Sequence, residues 1–318
     1  MSMRLMRRLL ITIAGVPLLA GTSSCATAHD DVPVPPRTTV PPGTARARPG
    51  SPVRAAPGPH DLRLGARTYR LYVPAGLPAG KAPLVIALHA ALGTGGVMEL
   101  LTRLDGVADR KKFLVAYPDG RPATARVWNA GDCCNRSATD DVGFLGRLID
   151  GIVVSQRADP ARVYVTGISN GAMMAYRFAC QRADKIAAIA AVAGSMTYRP
   201  CRPARPVPLM IFHGTADTTL PEAGGSLPAL GMRGTFPSQH EVVRIWSRID
   251  GVPPPAQVSY QKGGVTCRAD DPALVVYCQV AGGGHTWPGG TPVPLAGPTS
   301  PDIDAGAAMW DFFAAHPR

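Results

Sequence analysis

The chain has 318 residues and a formal net charge of +11; 46% of the residues are hydrophobic and 17% charged, and there are 35 Gly, 33 Pro and 7 Cys. That much apolar material with no short period excludes a mostly disordered polymer, a collagen-like repeat and a small disulfide-stapled module. Nucleic acid is not implied either: seven Arg and two Asp lie in the first 60 residues, which leaves 26 basic minus 20 acidic residues, +6, for the other 258.

The N-terminus opens with a basic head, Met1 to Arg8, followed by an apolar run from Leu9 to Ala20 and the small-residue segment Gly21-Thr-Ser-Ser-Cys25. This is the layout of a secretory signal over residues 1–25. The run is shorter than the ~20 apolar residues that a spanning helix needs, and Pro17 interrupts it. Cys25 after small residues is a lipidation candidate, so membrane association is expected only through a lipid anchor. Residues 26–60 carry nine prolines, from Pro33 to Pro59, spaced with Arg, Thr, Ala and Gly. Such a segment buries too little apolar surface to offset its ordering entropy and reads as an extended spacer. The globular part is expected over 61–318, outside the cytoplasm, either secreted or held at the outer face of the membrane.

From residue 61 strand and helix patterns alternate. Thr68 to Val73 reads as an edge strand, and Pro83 to His89 as a strand buried on both faces. Helical periodicity covers 97–112, and Phe113 to Tyr117 is again a strand. A long loop with Trp128, Cys133 and Cys134 leads to an amphipathic stretch over 142–156. Further strands are expected at Arg162 to Thr166, Ile186 to Val192, Val207 to Phe212 and Ala273 to Val280, with helices over 170–182, 241–249 and 303–315. The alternation predicts an α/β fold, a mostly parallel sheet with helices on both faces, in one domain.

Six cysteines remain when Cys25 is set aside, an even number suited to disulfides in an exported chain. Proximity favours Cys267 with Cys278 and Cys180 with Cys201, which leaves the adjacent Cys133 and Cys134. There is no paired CxxC motif and no His at ligand spacing, so no metal site is expected.

Gly167-Ile-Ser169-Asn-Gly171 stands between a strand and a helix. In a sharp strand-to-helix turn the central serine is held above the sheet, and glycines two before and two after it let strand and helix approach. A serine hydroxyl needs a base and the base an orienting acid. Asp217 and His285 each follow an apolar strand and come in the chain order acid, then histidine. Ser169, Asp217 and His285 are therefore the expected catalytic residues. His89, His213 and His240 are less well placed, at strand exits or a helix start. The amide of Asn170, at the start of the helix after Ser169, and that of Ala91, in the loop after Pro83 to His89, are the expected oxyanion donors, with Leu92 as the alternative to Ala91. Trp287, Trp128 and Asp141 are candidate substrate contacts; packing for the tryptophans and helix capping for Asp141 are the competing roles.

The segments Gly167-Ile-Ser-Asn-Gly-Ala-Met-Met-Ala-Tyr-Arg-Phe-Ala-Cys180, Phe212-His-Gly-Thr-Ala-Asp217 and Gly284-His-Thr-Trp-Pro-Gly289, with Cys133-Cys-Asn and Asp140-Asp-Val-Gly-Phe144, together resemble the polyhydroxybutyrate depolymerase and feruloyl esterase group of secreted α/β hydrolases. The resemblance covers Leu62 to the C-terminus. It implies an α/β-hydrolase fold, a cofactor-free serine esterase mechanism, and Ser169, Asp217 and His285 as the triad. His89-Ala90 departs from the usual His-Gly after the first core strand. Members that digest solid polyester often add a binding module, and only the spacer precedes the domain here, so small or oligomeric esters are the expected substrates, from hydroxybutyrate oligomers to feruloyl or acetyl esters of polysaccharide. The competing functional classes are a serine peptidase of the same fold and a non-catalytic binding protein on a hydrolase scaffold.

Overall fold

The apolar runs expected as buried strands assemble into the middle of a mixed sheet whose order, in the computed structural model, is β1-β2-β4-β3-β5-β6-β7-β10-β9-β8. The structure describes residues 54–121, 126–132, 139–226 and 235–318. The strands are β1 (Gly58–Leu64), β2 (Arg67–Val73), β3 (Ala82–Leu88), β4 (Leu114–Pro118), β5 (Ala158–Ile168), β6 (Ala188–Val192), β7 (Leu209–Gly214), β8 (Val258–Lys262), β9 (Val265–Arg268) and β10 (Val275–Val280). The strands β4-β3-β5-β6-β7-β10 run parallel side by side, and antiparallel β1-β2 and β9-β8 flank them. Every residue of β3, β4, β6 and β7 is buried, because helices cover both faces.

The helices are α1 (Gly95–Thr102), α2 (Leu104–Lys111), α3 (Asp141–Ser155), α4 (Asn170–Arg182), α5 (Gln239–Asp250) and α6 (Ala305–Ala315). Side chains of α3, α4 and α5 pack on one face of the sheet, with Phe144, Met174, Phe178 and Trp246 in that core. Those of α1, α2 and α6 pack on the other, where Trp310 stacks on Phe113 and Phe313 on Tyr164.

Three local expectations are corrected. Residues Thr68 to Val73 do not lie at the edge: β1 pairs with β2 over its whole length, and begins at Gly58, inside the segment expected as spacer. Pro57 and Pro59 make that stretch look structureless, yet proline is tolerated in an edge strand, where the missing N–H breaks no ladder. Arg54, still earlier, donates to the carbonyls of Gln156 at 2.7 Å and Pro78 at 2.6 Å. The helix expected over 97–112 is broken at Arg103, whose φ of 53° is left-handed and separates α1 from α2.

Cys180 and Cys201 form a disulfide that ties α4 to the segment after β6, and Cys267 joins Cys278 across the β9–β10 ladder. The 21-residue separation of the first pair corresponds to about 3 kcal/mol of loop-closure stabilisation. Cys25, Cys133, Cys134 and the expected signal lie outside the described residues.

Asp250, the last residue of α5, is buried, and its Oδ1 accepts from the Val207 amide at 2.9 Å while Oδ2 has no partner. Burial pushes its carboxyl up to about 7, against the opposing pull of Val207, Trp246 and Arg205. The folded state therefore holds this proton more tightly than the unfolded chain. The associated stability is complete below about pH 4 and is lost as pH rises through about 7. Asp250→Asn keeps the acceptor for Val207 and cannot ionise. Its stability advantage over the parent is expected to grow by ~1–3 kcal/mol between pH 5 and pH 8, read from thermal melts at the two values.

Candidate active site

The parallel strands β5, β7 and β10 end on the same edge of the sheet, and each delivers one of the three expected catalytic side chains to the segment that follows it. Ser169 stands between β5 and α4 at φ 56° and ψ −122°. A non-glycine residue in that region costs on the order of 1–3 kcal/mol and persists only where its surroundings hold it. Here the Ser169 amide donates to Val192 O at 2.9 Å, and Ser169 O accepts from Met173 N at 3.0 Å, which binds the turn to β6 and to the first turn of α4. The two glycines are required by close approach. A Cβ on Gly167 would overlap the Gly171 backbone, and one on Gly171 would overlap the carbonyls of Leu88 and His89.

Asp217, three residues beyond β7, is buried and accepts three hydrogen bonds. Its Oδ1 takes the amides of Thr219 at 2.9 Å and Leu220 at 2.8 Å, an Asx-type turn that fixes the carboxylate plane. Its Oδ2 accepts from His285 Nδ1–H at 2.7 Å. Because a carboxylate can only accept, this bond places the neutral imidazole's proton on Nδ1 and leaves the Nε2 lone pair as a base. The His285 side chain is 13% exposed and its backbone amide donates to Ala296 O at 2.7 Å. Ser169 is half-buried, and its Oγ makes no hydrogen bond to His285 Nε2 in this structure.

His213 lies against the same carboxylate, with Nε2 3.6 Å from Asp217 Oδ2, but donates from Nε2 to Leu220 O at 2.8 Å. Burial lowers its pKa, so it stays neutral behind the pair.

The amides of Asn170 and Ala91 make no hydrogen bond to an acceptor among the described residues, whereas that of Leu92 donates to Arg126 O at 2.7 Å. Leu92 itself has φ 65°. Two donor N–H groups are thus left at the ends of β5 and β3, on either side of the Gly171 contact with β3. A helix N-terminus adds its dipole to the first of them.

The three substrate-contact candidates are all buried. Trp128 and Trp287 are completely buried, so neither ring offers a face for stacking. Trp287 packs into the core under α6, and its Nε1 has no acceptor among the described residues. Asp141 is buried and saturated: Oδ1 meets Arg67 at 2.5 Å and Oδ2 accepts the Asn129 amide at 2.7 Å. The N-cap of α3 is Asp140, which accepts from Gly143 N. Sequence reasoning missed Arg67, Asn129 and Arg126 as supports of the loops around the site. Their signal is long-range pairing, which periodicity does not carry. Among the described residues no cluster of three His, Cys, Asp or Glu could hold a metal ion.

The family model for the esterase PHB depolymerase domain matches residues 67–202, which include β2 through β6 and the serine turn. A putative esterase, NocK, of Nocardia uniformis subsp. tsuyamanensis is 33% identical over 308 residues, covering 86% of this chain and 88% of that protein. A feruloyl esterase B of Piromyces equi is 31% identical over 224 residues; the match covers 67% of this chain but only 41% of that longer protein. Among solved structures, the acetyl xylan esterase from Aspergillus awamori superposes with a TM-score of 0.61 at 17% identity, over 81% of this chain and 99% of that one, a likeness of fold. With the serine turn, the paired acid and histidine and the parallel sheet in place, the chain belongs to the esterase PHB depolymerase family, has the α/β-hydrolase fold and is a carboxylic ester hydrolase.

Proposed function

We propose that the protein is an exported serine esterase that works through an acyl-enzyme on Ser169. The observation that carries the reading is the Asp217–His285 hydrogen bond of 2.7 Å, made from Nδ1, at the sheet edge that also holds the strained Ser169 turn. His285 Nε2 takes the Ser169 proton as Oγ attacks the ester carbonyl, and Asp217 stabilises the resulting imidazolium. The amides of Asn170 and Ala91 receive the tetrahedral oxyanion. The proton passes from Nε2 to the departing alcohol, and the acyl group stays on Oγ. Water then repeats the sequence, giving its proton to Nε2 and releasing the acid.

Export is read from the signal pattern over 1–25 and the proline-rich stretch that follows it ahead of β1, with Cys25 as the lipid-modified residue of an anchored form. Substrates fitting the relatives' names are short esters: a phenolic acid ester, an acetylated xylo-oligosaccharide or a hydroxybutyrate oligomer. A rate panel of methyl ferulate, acetylated xylo-oligosaccharide, hydroxybutyrate trimer and a peptide anilide tests this. Ester cleavage is expected to dominate, with the anilide at background; preferential cleavage of the anilide would make the protein a peptidase.

A further inference from the structure

The two amides read as oxyanion donors sit on separate units of the fold, Asn170 at the head of α4 and Ala91 in the loop between β3 and α1. Trp128 touches both units. The Asn170 carboxamide pairs with the Trp128 main chain through two bonds: Oδ1 accepts from Trp128 N at 2.7 Å and Nδ2 donates to Trp128 O at 3.0 Å. The Trp128 indole Nε1–H donates to His89 O at 3.0 Å, two residues before Ala91. Arg126 O accepts the Leu92 amide at 2.7 Å, one residue after it. Segment 126–128 therefore brackets Ala91 and also grips Asn170.

The strut is braced from behind. Trp128, His89 and Asn170 are all at most 1% exposed. The Arg67 guanidinium lies 5.4 Å from the centre of the Trp128 ring and 3.7 Å from that of Phe144, and its partner Asp141 holds the next amide, Asn129 N. His89 stands 5.1 Å from the indole and fixes the first peptide of the loop, with Nδ1–H on Ala90 O at 2.6 Å and Nε2 accepting from Gly120 N at 2.9 Å. Phenylalanine would fill most of the indole's volume but would leave His89 O as a buried acceptor without a donor.

We infer that Trp128 is a positioning residue, with Asn170 as its partner, that fixes the separation and aim of the two oxyanion amides. The inference rests on the proposed role of those amides. Because a 1 Å misplacement of a catalytic group can cost about 10²-fold, a bond that registers one donor against the other acts on the transition state more than on substrate binding.

Trp128→Phe is the direct test. Its kcat on p-nitrophenyl acetate is expected to fall about 10- to 100-fold, with KM changed less than about threefold. Affinity for a trifluoromethyl ketone, whose hemiketal oxygen needs the same amides, is expected to fall in parallel. Asn170→Ala, which keeps the main-chain N–H and removes the two bonds to Trp128, is expected to lose the same two properties, and the double variant to lose less than the product of the singles. Asn170→Ala carries the test if Trp128→Phe does not fold. Wild-type kcat and ketone affinity with only a lower Tm would make Trp128 a packing residue, and a raised KM at unchanged kcat would make it a substrate contact; either overturns the inference. Activity retained in Ser169→Ala would instead remove the triad reading, whereas an inactive Ser169→Ala beside a fully active Trp128→Phe would remove the strut alone.

Discussion

Replacing Ser169 with alanine is expected to lower kcat for ester hydrolysis by about 10⁴- to 10⁶-fold, the loss typical when the nucleophile of a serine hydrolase is removed. The substitution deletes only the hydroxyl. The backbone bonds that hold the turn, Ser169 N to Val192 O and Met173 N to Ser169 O, stay in place. Alanine occupies the strained φ of 56° no less readily than serine. Stability should therefore change by less than about 1 kcal/mol, so a thermal melt separates lost chemistry from lost fold. Residual hydrolysis above background is expected, because the two amides can still stabilise attack by water.

Asp217→Asn is expected to cost about 10⁴-fold in kcat while leaving the local turn intact. The asparagine carbonyl can keep both amide bonds, from Thr219 and Leu220, that Asp217 Oδ1 accepts. Its NH2 then occupies the place of Oδ2 and meets His285 Nδ1 as a donor. A donor facing a donor is relieved when the imidazole carries its proton on Nε2 instead. In that tautomer Nε2 has no lone pair for the Ser169 proton, and the pair charge that would stabilise the imidazolium is gone. The measurement is kcat at neutral pH together with Tm; near-native Tm with near-native kcat would show that Asp217 does not set the tautomer.

Much of this was legible in the residue pattern, and the legible part has a common cause. Buried strands such as Leu84 to Leu88 and Ala188 to Val192 announce themselves by unbroken apolar runs, and the serine turn by glycines that no side chain could replace. Asp217 and His285 stand out because each follows such a strand at the end of the sheet where the turn lies, and the structure brings them within 2.7 Å of one another. The cysteine pairs 180–201 and 267–278 were readable from proximity along the chain.

The unread part depends on partners distant in sequence. β1 is recognisable only from its pairing with β2, since its own prolines argue for a spacer. Arg103 gives no local reason to leave the helix; the break between α1 and α2 lets Leu104, Val107 and Ala108 turn into the core under α6. Trp128 and Asp141 sit in or beside a long loop where no periodicity reports burial. Their partners, Asn170 and His89 for one and Arg67 for the other, lie 42, 39 and 74 residues away. An exposed aromatic and a buried one look alike in such a loop, so Trp128 reads from sequence as a substrate contact although its ring is fully buried.

The most direct measurement is the intact mass of the protein after treatment with a serine-directed fluorophosphonate, followed by mapping of the modified peptide. One adduct per chain is expected, on Ser169, formed rapidly in the wild type, slowed by orders of magnitude in His285→Ala and absent in Ser169→Ala. An active enzyme that takes no adduct, or takes it on another residue, would contradict Ser169 as the nucleophile.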